Sequence, residues 1–317
     1  MSATVAPRMG SASQVPRSWL RSARKELSRH GWMYAMALPV VLYFAVFCYT
    51  PMFGVLIAFK RFNAFTGIID SPWVGFSNFT RFFQSMFFYR LVRNTVLINL
   101  YGLAIGFPAP IILALLLNEV RHDKFKRTIQ TLSYLPYFIS TVVVTTLILN
   151  FLSLNGPVNH VLARLGLEPI AFIGRPEWFR HIYVWSGVWQ GVGWGSIIYL
   201  AGLAGIDPTL YESAEIDGAG RLARMWHISL PGILPTIMVL LLLSLGGMLS
   251  LGFEKVYLLY SPATYETADV ISTYVYRLGL LGGDYGFGTA VGLFNSVVSL
   301  ILLACFNWIA GRLQQLT

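Results

Sequence analysis

Apolar positions in this chain neither alternate nor recur as narrow stripes. They come in blocks of about 20 to 27 residues, the length needed to cross a hydrocarbon core of about 30 Å. Six blocks, at 32–59, 94–118, 129–152, 182–205, 232–252 and 289–311, predict six membrane-spanning helices. An even count places both termini on one side. Between the fourth and fifth blocks the pattern changes: YESAEIDGAGRLARMWHISLPGI, 211–233, holds three acids, two arginines and three glycines. Asp207-Pro208 ahead of it is a helix start, since Asp caps free amides and Pro suits the first helical position. Gly218 permits a left-handed turn after TLYESAEID. A second short helix then carries Ala219, Leu222, Ala223 and Trp226 on one face and ends near Leu230-Pro231. The segment therefore reads as two short amphipathic helices with a glycine elbow, lying along the membrane surface. Glu212 and Glu215 share its exposed side.

Composition agrees with an all-α integral membrane protein. The chain is 56% hydrophobic, 15% aromatic and 12% charged, against roughly 25% charged in soluble domains. Residues 1–30 form a basic tail and 31–317 one six-span domain, with the surface segment at 207–231. The net charge of +9 reflects basic flanks of spans rather than a nucleic-acid partner. Of the Lys and Arg residues, 13 fall in the tail, the EVRHDKFKR loop, the 211–233 segment and Arg312, and 10 in the longer loops opposite. The denser set marks the cytoplasmic side, so both termini are expected there. The tail lacks the short apolar core of a signal peptide. Cys48 and Cys305 are too far apart in sequence to suggest a metal site or a disulfide framework.

The chemistry of the blocks is defined by what they lack. None contains Asp, Glu, Lys or Arg, which argues against a proton-coupled carrier, because such a carrier needs a titratable group at depth. Sodium coupling through backbone carbonyls stays open. No phosphate-binding GxxxxGK[ST] loop, HExxH or GxSxG is present, and DGAG at 217–220 is only a fragment of a dinucleotide fingerprint. The reading is a non-catalytic chain with no bound cofactor or metal. Gly187, Gly191 and Gly195, and Gly288 with Gly292, repeat at four-residue spacing and suit close helix packing or a sliding seam. Trp185, Trp189, Gln190, Trp194 and Asn295 are candidates for a polar path, with aromatic faces for sugar rings and amides for hydroxyls. Lys60, Arg61, Arg81, Arg90 and Arg93 in the outer loops are the cations weighed for an anionic solute.

One pattern carries a family resemblance. Glu212-Ser213-Ala214, then Gly218, then Ile228 and Leu230-Pro231 are similar to the E-A-A, three residues, G, nine residues, I-x-L-P segment of permease subunits in binding-protein-dependent ABC importers. Ser213 for alanine is the one departure. NTVLINLYGLAIGFPAPIILALLLNE, FEKVYLLYSPATYETADVISTYVYRLGL and FGTAVGLFNSVV resemble the subgroup handling polysaccharide fragments, including alginate-oligosaccharide importers. The resemblance implies the type I importer permease fold in a bacterial cytoplasmic membrane. It also implies a heterodimer with a second permease, two ATPase subunits using ATP and Mg, and an extracytoplasmic solute-binding protein that delivers an oligosaccharide. Glu212, Ser213, Ala214, Gly218, Ile228, Leu230 and Pro231 would form the ATPase-docking segment. On the residues alone, a self-contained secondary carrier or channel for a small polar solute remains the alternative, and a membrane enzyme lacks a catalytic cluster.

Overall fold

The computed structural model describes residues 30–246 and 252–314, without the side chains at 306, 307 and 309–314. The basic tail up to residue 29 and the end of the fifth expected span, 247–251, lie outside the described residues. Among them, regular structure is helical apart from two isolated bridges, Lys60 with Trp73 and Asn63 with Gly67. The chain divides into two compact units between Val55 and Leu56. The helical stretch α1, Gly31–Phe59, is long and apolar enough to cross a membrane. Its residues in the first unit bury no side chain within the protein, as expected where lipid is the solvent.

The second unit contains α2 (Ser77–Phe83), α3 (Phe88–Asn118), α4 (Asp123–Phe138), α5 (Thr141–Phe151), α6 (Pro157–Arg164) and α7 (Pro176–Ala204). After these come α8 (Pro208–Ile216), α9 (Arg221–Gly232), α10 (Leu234–Gly246), α11 (Phe253–Leu259), α12 (271–281) and α13 (Tyr285–Gln314). The long helices α3 and α7 are its axis. Near their starts, Ile98 packs with Phe179, Val256 and Leu259. Near their ends, Ile111, Ala114 and Leu115 pack with Tyr199, Leu203 and Ile233. The two helices therefore run parallel. A third cluster joins Phe82 and Leu91 to Ile271, Tyr274, Phe287 and Val291.

Three expected spans differ from straight helices or from the required composition. The block at 129–152 breaks into α4 and α5, which meet at 102°. Pro136 lacks an amide for the helix ladder, and the Ser140 side chain accepts from the Val143 amide to start α5 anew. The block at 232–252 begins as α10 after a 61° bend from α9, and the second helix of the surface segment continues through Pro231 to Gly232. A π-helical turn over Met225–Ser229 widens the helix just ahead of the proline ring. Helix α7 has 29 residues, or about 44 Å, but glycines, tryptophans and Gln190 dilute it. Among the described residues, three helices are long and apolar enough to cross a membrane, α1, α3 and Tyr285–Cys305 of α13, or up to five when each bent pair is taken as one span.

A buried charge lies in the stretch between the fifth and sixth apolar blocks. Asp269 is fully buried and accepts from Arg90 and Arg277, each at 2.9 Å, and from Thr273 at 3.1 Å. Asn94 donates to the carbonyls of Glu266 and Asp269 and accepts from Arg180. This network ties α3 to α7 and α12.

Candidate functional site

The surface segment is built from local rules. Asp207 caps α8 by accepting from the Thr209 amide at 3.0 Å. The hydrogen bond from that amide holds the Asp207 carboxyl below its ordinary pKa. At the other end the Ala219 amide reaches the Ala214 carbonyl and the Gly218 amide the Glu215 carbonyl. Gly218 sits between them at φ +80°. These are the two bonds and the left-handed glycine of a Schellman cap. The segment is also anchored across its elbow: the Tyr211 hydroxyl meets the buried Ser229 hydroxyl at 2.9 Å, and Met225 and Leu230 pack against the cluster shared by α3 and α7.

The motif residues take different environments on this frame. Glu212 is exposed and makes no ion pair among the described residues. Glu215 is engaged, accepting from Arg224 at 3.0 Å with Arg121 at 4.0 Å. The expected ridge of two acids thus carries one free carboxylate, because α9 folds back and presents Arg224. The Arg121 contact also puts the EVRHDKFKR loop at the same end of the unit as the segment. Ser213 turns its hydroxyl onto the Thr209 carbonyl at 2.9 Å, which satisfies it within its own helix. Ala214 and Ile228 are half-buried and Pro231 is exposed. Leu222 and Trp226, expected on one apolar face with Ala219 and Ala223, are 78% and 68% exposed. Leu222 and Trp226 on that face are not covered by any of the described residues.

The path candidates do not converge on one site. Gln190 lines two cavities on α7. One, of about 520 Å³, is walled by the α4–α5 break at Tyr137–Thr141 and by Gly187 and Gly191. The other, of about 400 Å³, is walled by Gly102, Gly106 and Pro110 of α3, by Tyr183 and Gly187, and by Lys255 of α11. The Gln190 amide donates to the Ile139 carbonyl at 3.0 Å, satisfying backbone freed by the break. Trp185 and Trp189 line a separate apolar pocket with Leu147, Phe151 and Trp178. Trp194 stacks on Tyr137 with ring centroids 4.7 Å apart. Asn295 lies on α13, outside these cavities. The candidate cations drawn from the outer loops did not include Lys255, which α11 carries back against the middle of α7. A lone lysine in the aromatic stretch FEKVYLLY is the signal that marks it.

Residues 106–317 match the family described as "Binding-protein-dependent transport system inner membrane component". The chain belongs to this family. This permease is 46% identical to Protein LplB of Bacillus subtilis (strain 168) over 299 residues, covering 94% of this chain and 93% of that protein. It is also 46% identical to the polygalacturonan/rhamnogalacturonan transport system permease protein YteP of the same organism, over 90% of each chain. Among solved structures it is similar to a chain of a bacterial ABC transporter involved in the import of the acidic polysaccharide alginate. There the TM-score is 0.86 at 46% identity, covering 94% of this chain and 99% of that one. A second structure of a bacterial alginate ABC transporter, in complex with alginate pentasaccharide-bound periplasmic protein, matches with TM-score 0.85 at 46% identity over 91% and 97%. The chain is a permease subunit of a binding-protein-dependent importer and an inner-membrane component, a transport subunit and not an enzyme.

Proposed function

We propose that this permease forms half of the translocation path for an acidic oligosaccharide. The solute arrives on an extracytoplasmic binding protein, and a second permease completes the path. In this reading the six crossings are α1, α3, α4–α5, α7, α9–α10 and α13, with both termini in the cytoplasm. The acidic class follows from relatives named for polygalacturonan and alginate. Two ATPase subunits, which use ATP and Mg, lie below, and α8 seats in a cleft of one of them.

The observation that carries the docking role is the exposed Glu212, without an ion pair among the described residues, on a helix capped at both ends and tied through Tyr211 to Ser229 of α9, which packs on the α3–α7 core. A rigid helix can pass a push into the spans, whereas a solvated loop would absorb it. Closure of the ATPase pair then moves the helices as levers between inward-open and outward-open states. Ile228, Leu230 and Pro231 return that movement to α10 through the 61° bend.

The test is affinity purification of the tagged permease from gently solubilised native membranes. Wild type is expected to bring down an ATP-hydrolysing subunit and a second permease. Glu212→Lys is expected to keep the second permease and lose the ATPase by tenfold or more. Equal ATPase recovery from wild type and Glu212→Lys would remove Glu212 from the docking surface.

A further inference from the structure

We propose that Lys255 is a carboxylate-binding subsite on the translocation path, taking the uronate group of an acidic oligosaccharide as it passes α7. The proposal rests on the acidic-oligosaccharide reading above and adds the residue that recognises the charge.

Three observations place Lys255 there. First, it lines the cavity of about 400 Å³ with Gly102, Gly106, Tyr183, Gly187 and Gln190, within the size range of small-ligand sites. Gly187 lies about 17 Å from the start of α7 and about 26 Å from its end at 1.5 Å per residue. The cavity is therefore near the middle of a helix long enough to span the membrane. Second, Lys255 makes no hydrogen bond to a described group and takes part in none of the five ion pairs among the described residues. Its ammonium lies 5.2 Å from the centroid of the Tyr183 ring, an aromatic face that supplies no counter-charge. Third, the ammonium lies against the α7 backbone at the cavity wall: a Cβ built on Gly187 would stand 3.4 Å from the Lys255 Nζ.

Taken together these make a site that lacks only its anion. A half-buried ammonium at such depth is costly without a partner and marks a path by default. A structural lysine would be paired, or its stem would extend to water. A uronate carboxylate supplies the missing charge, and charge-assisted bonds of this type are stronger than neutral ones. The Gln190 side chain donates to Ile139, and its Oε1 accepts from no described group, so it is free for a sugar hydroxyl. The four cavity glycines, Gly102, Gly106, Gly187 and Gly191, let a pyranose ring approach the backbone. The neighbouring Glu254 is exposed and forms no ion pair with Lys255 among the described residues.

The experiment uses the full importer, with both permeases, the ATPases and the binding protein, reconstituted in proteoliposomes. Uptake of labelled alginate trisaccharide and galacturonate trisaccharide is measured for wild type, Lys255→Arg, Lys255→Gln and Lys255→Glu. Uptake is expected to follow charge: Arg within about twofold of wild type, Gln lower by about tenfold, and Glu lower again, each in an assembled complex with intact ATP hydrolysis. Gln or Glu transporting at the wild-type rate would overturn the subsite alone, as would Arg falling as far as Gln, since shape rather than charge would then matter. Wild type taking up neither trisaccharide would overturn the acidic-oligosaccharide reading and the subsite with it.

Discussion

At Gly218 the backbone turns at φ +80°, with nothing within 4 Å of where a Cβ would stand. Substitution there tests conformation without sterics. Alanine in the left-handed region costs roughly 1–2 kcal/mol, while asparagine is tolerated as a helix-ending residue. Gly218→Ala is expected to lower the ratio of transport to ATP hydrolysis in the reconstituted importer, and Gly218→Asn to lower it less. Equal ratios for all three proteins would mean that the elbow angle is irrelevant to coupling. Ser213 presents the opposite case. Its hydroxyl is satisfied by the Thr209 carbonyl of its own helix, so Ser213→Ala should leave transport within about twofold of wild type.

Helices α7 and α13 use their glycines unequally. The four-residue spacing in sequence pointed to Gly187, Gly191 and Gly195 on α7, and Gly195 does meet the Pro110 ring, at 3.0 Å from a built Cβ. The tightest approach is at Gly193, where a Cβ would land on the Ser133 carbonyl of α4, whereas Gly191 faces open space. On α13 a Cβ at Gly288 would lie 2.7 Å from the Gly279 Cα, and Gly292 is open. Backbones this close cannot yield by a rotamer change. Gly193→Ala and Gly288→Ala are therefore expected to lower the melting temperature of the purified complex by several degrees, with Gly191→Ala and Gly292→Ala near wild type. A Gly193→Ala protein as stable as Gly191→Ala would contradict the α4–α7 contact. The glycine pattern identified the helices that pack closely and two of the glycines that touch, Gly195 and Gly288, but included the open Gly191 and Gly292 and missed Gly193, because contact depends on the azimuth of the neighbouring helix.

On the scale of the whole molecule, distant segments meet at a buried acid. Asp269 and Arg90 are 179 positions apart, yet bond at 2.9 Å, with Arg277 completing the group. Removing one partner of a buried pair costs about 3–5 kcal/mol because the remaining charge is stranded. Asp269→Asn should accordingly reduce the yield of folded permease, read by size-exclusion profile, far more than Arg81→Gln. The latter breaks an exposed pair with Asp284 whose members are 58% and 37% exposed, a class worth little. The chain's sequence by itself determined that it is a helical membrane protein with a surface segment capped at Asp207 and turned at Gly218. Block length against bilayer thickness, caps and glycine turns all act within a few residues. Only the tertiary structure decided the 102° break of the third block and the withdrawal of Glu215 by Arg224. It alone also placed Lys255 beside Tyr183 and Gly187, 72 and 68 positions earlier in the chain. Each of these depends on which surfaces meet after folding, and residue spacing along one helix carries no record of the partner it will face.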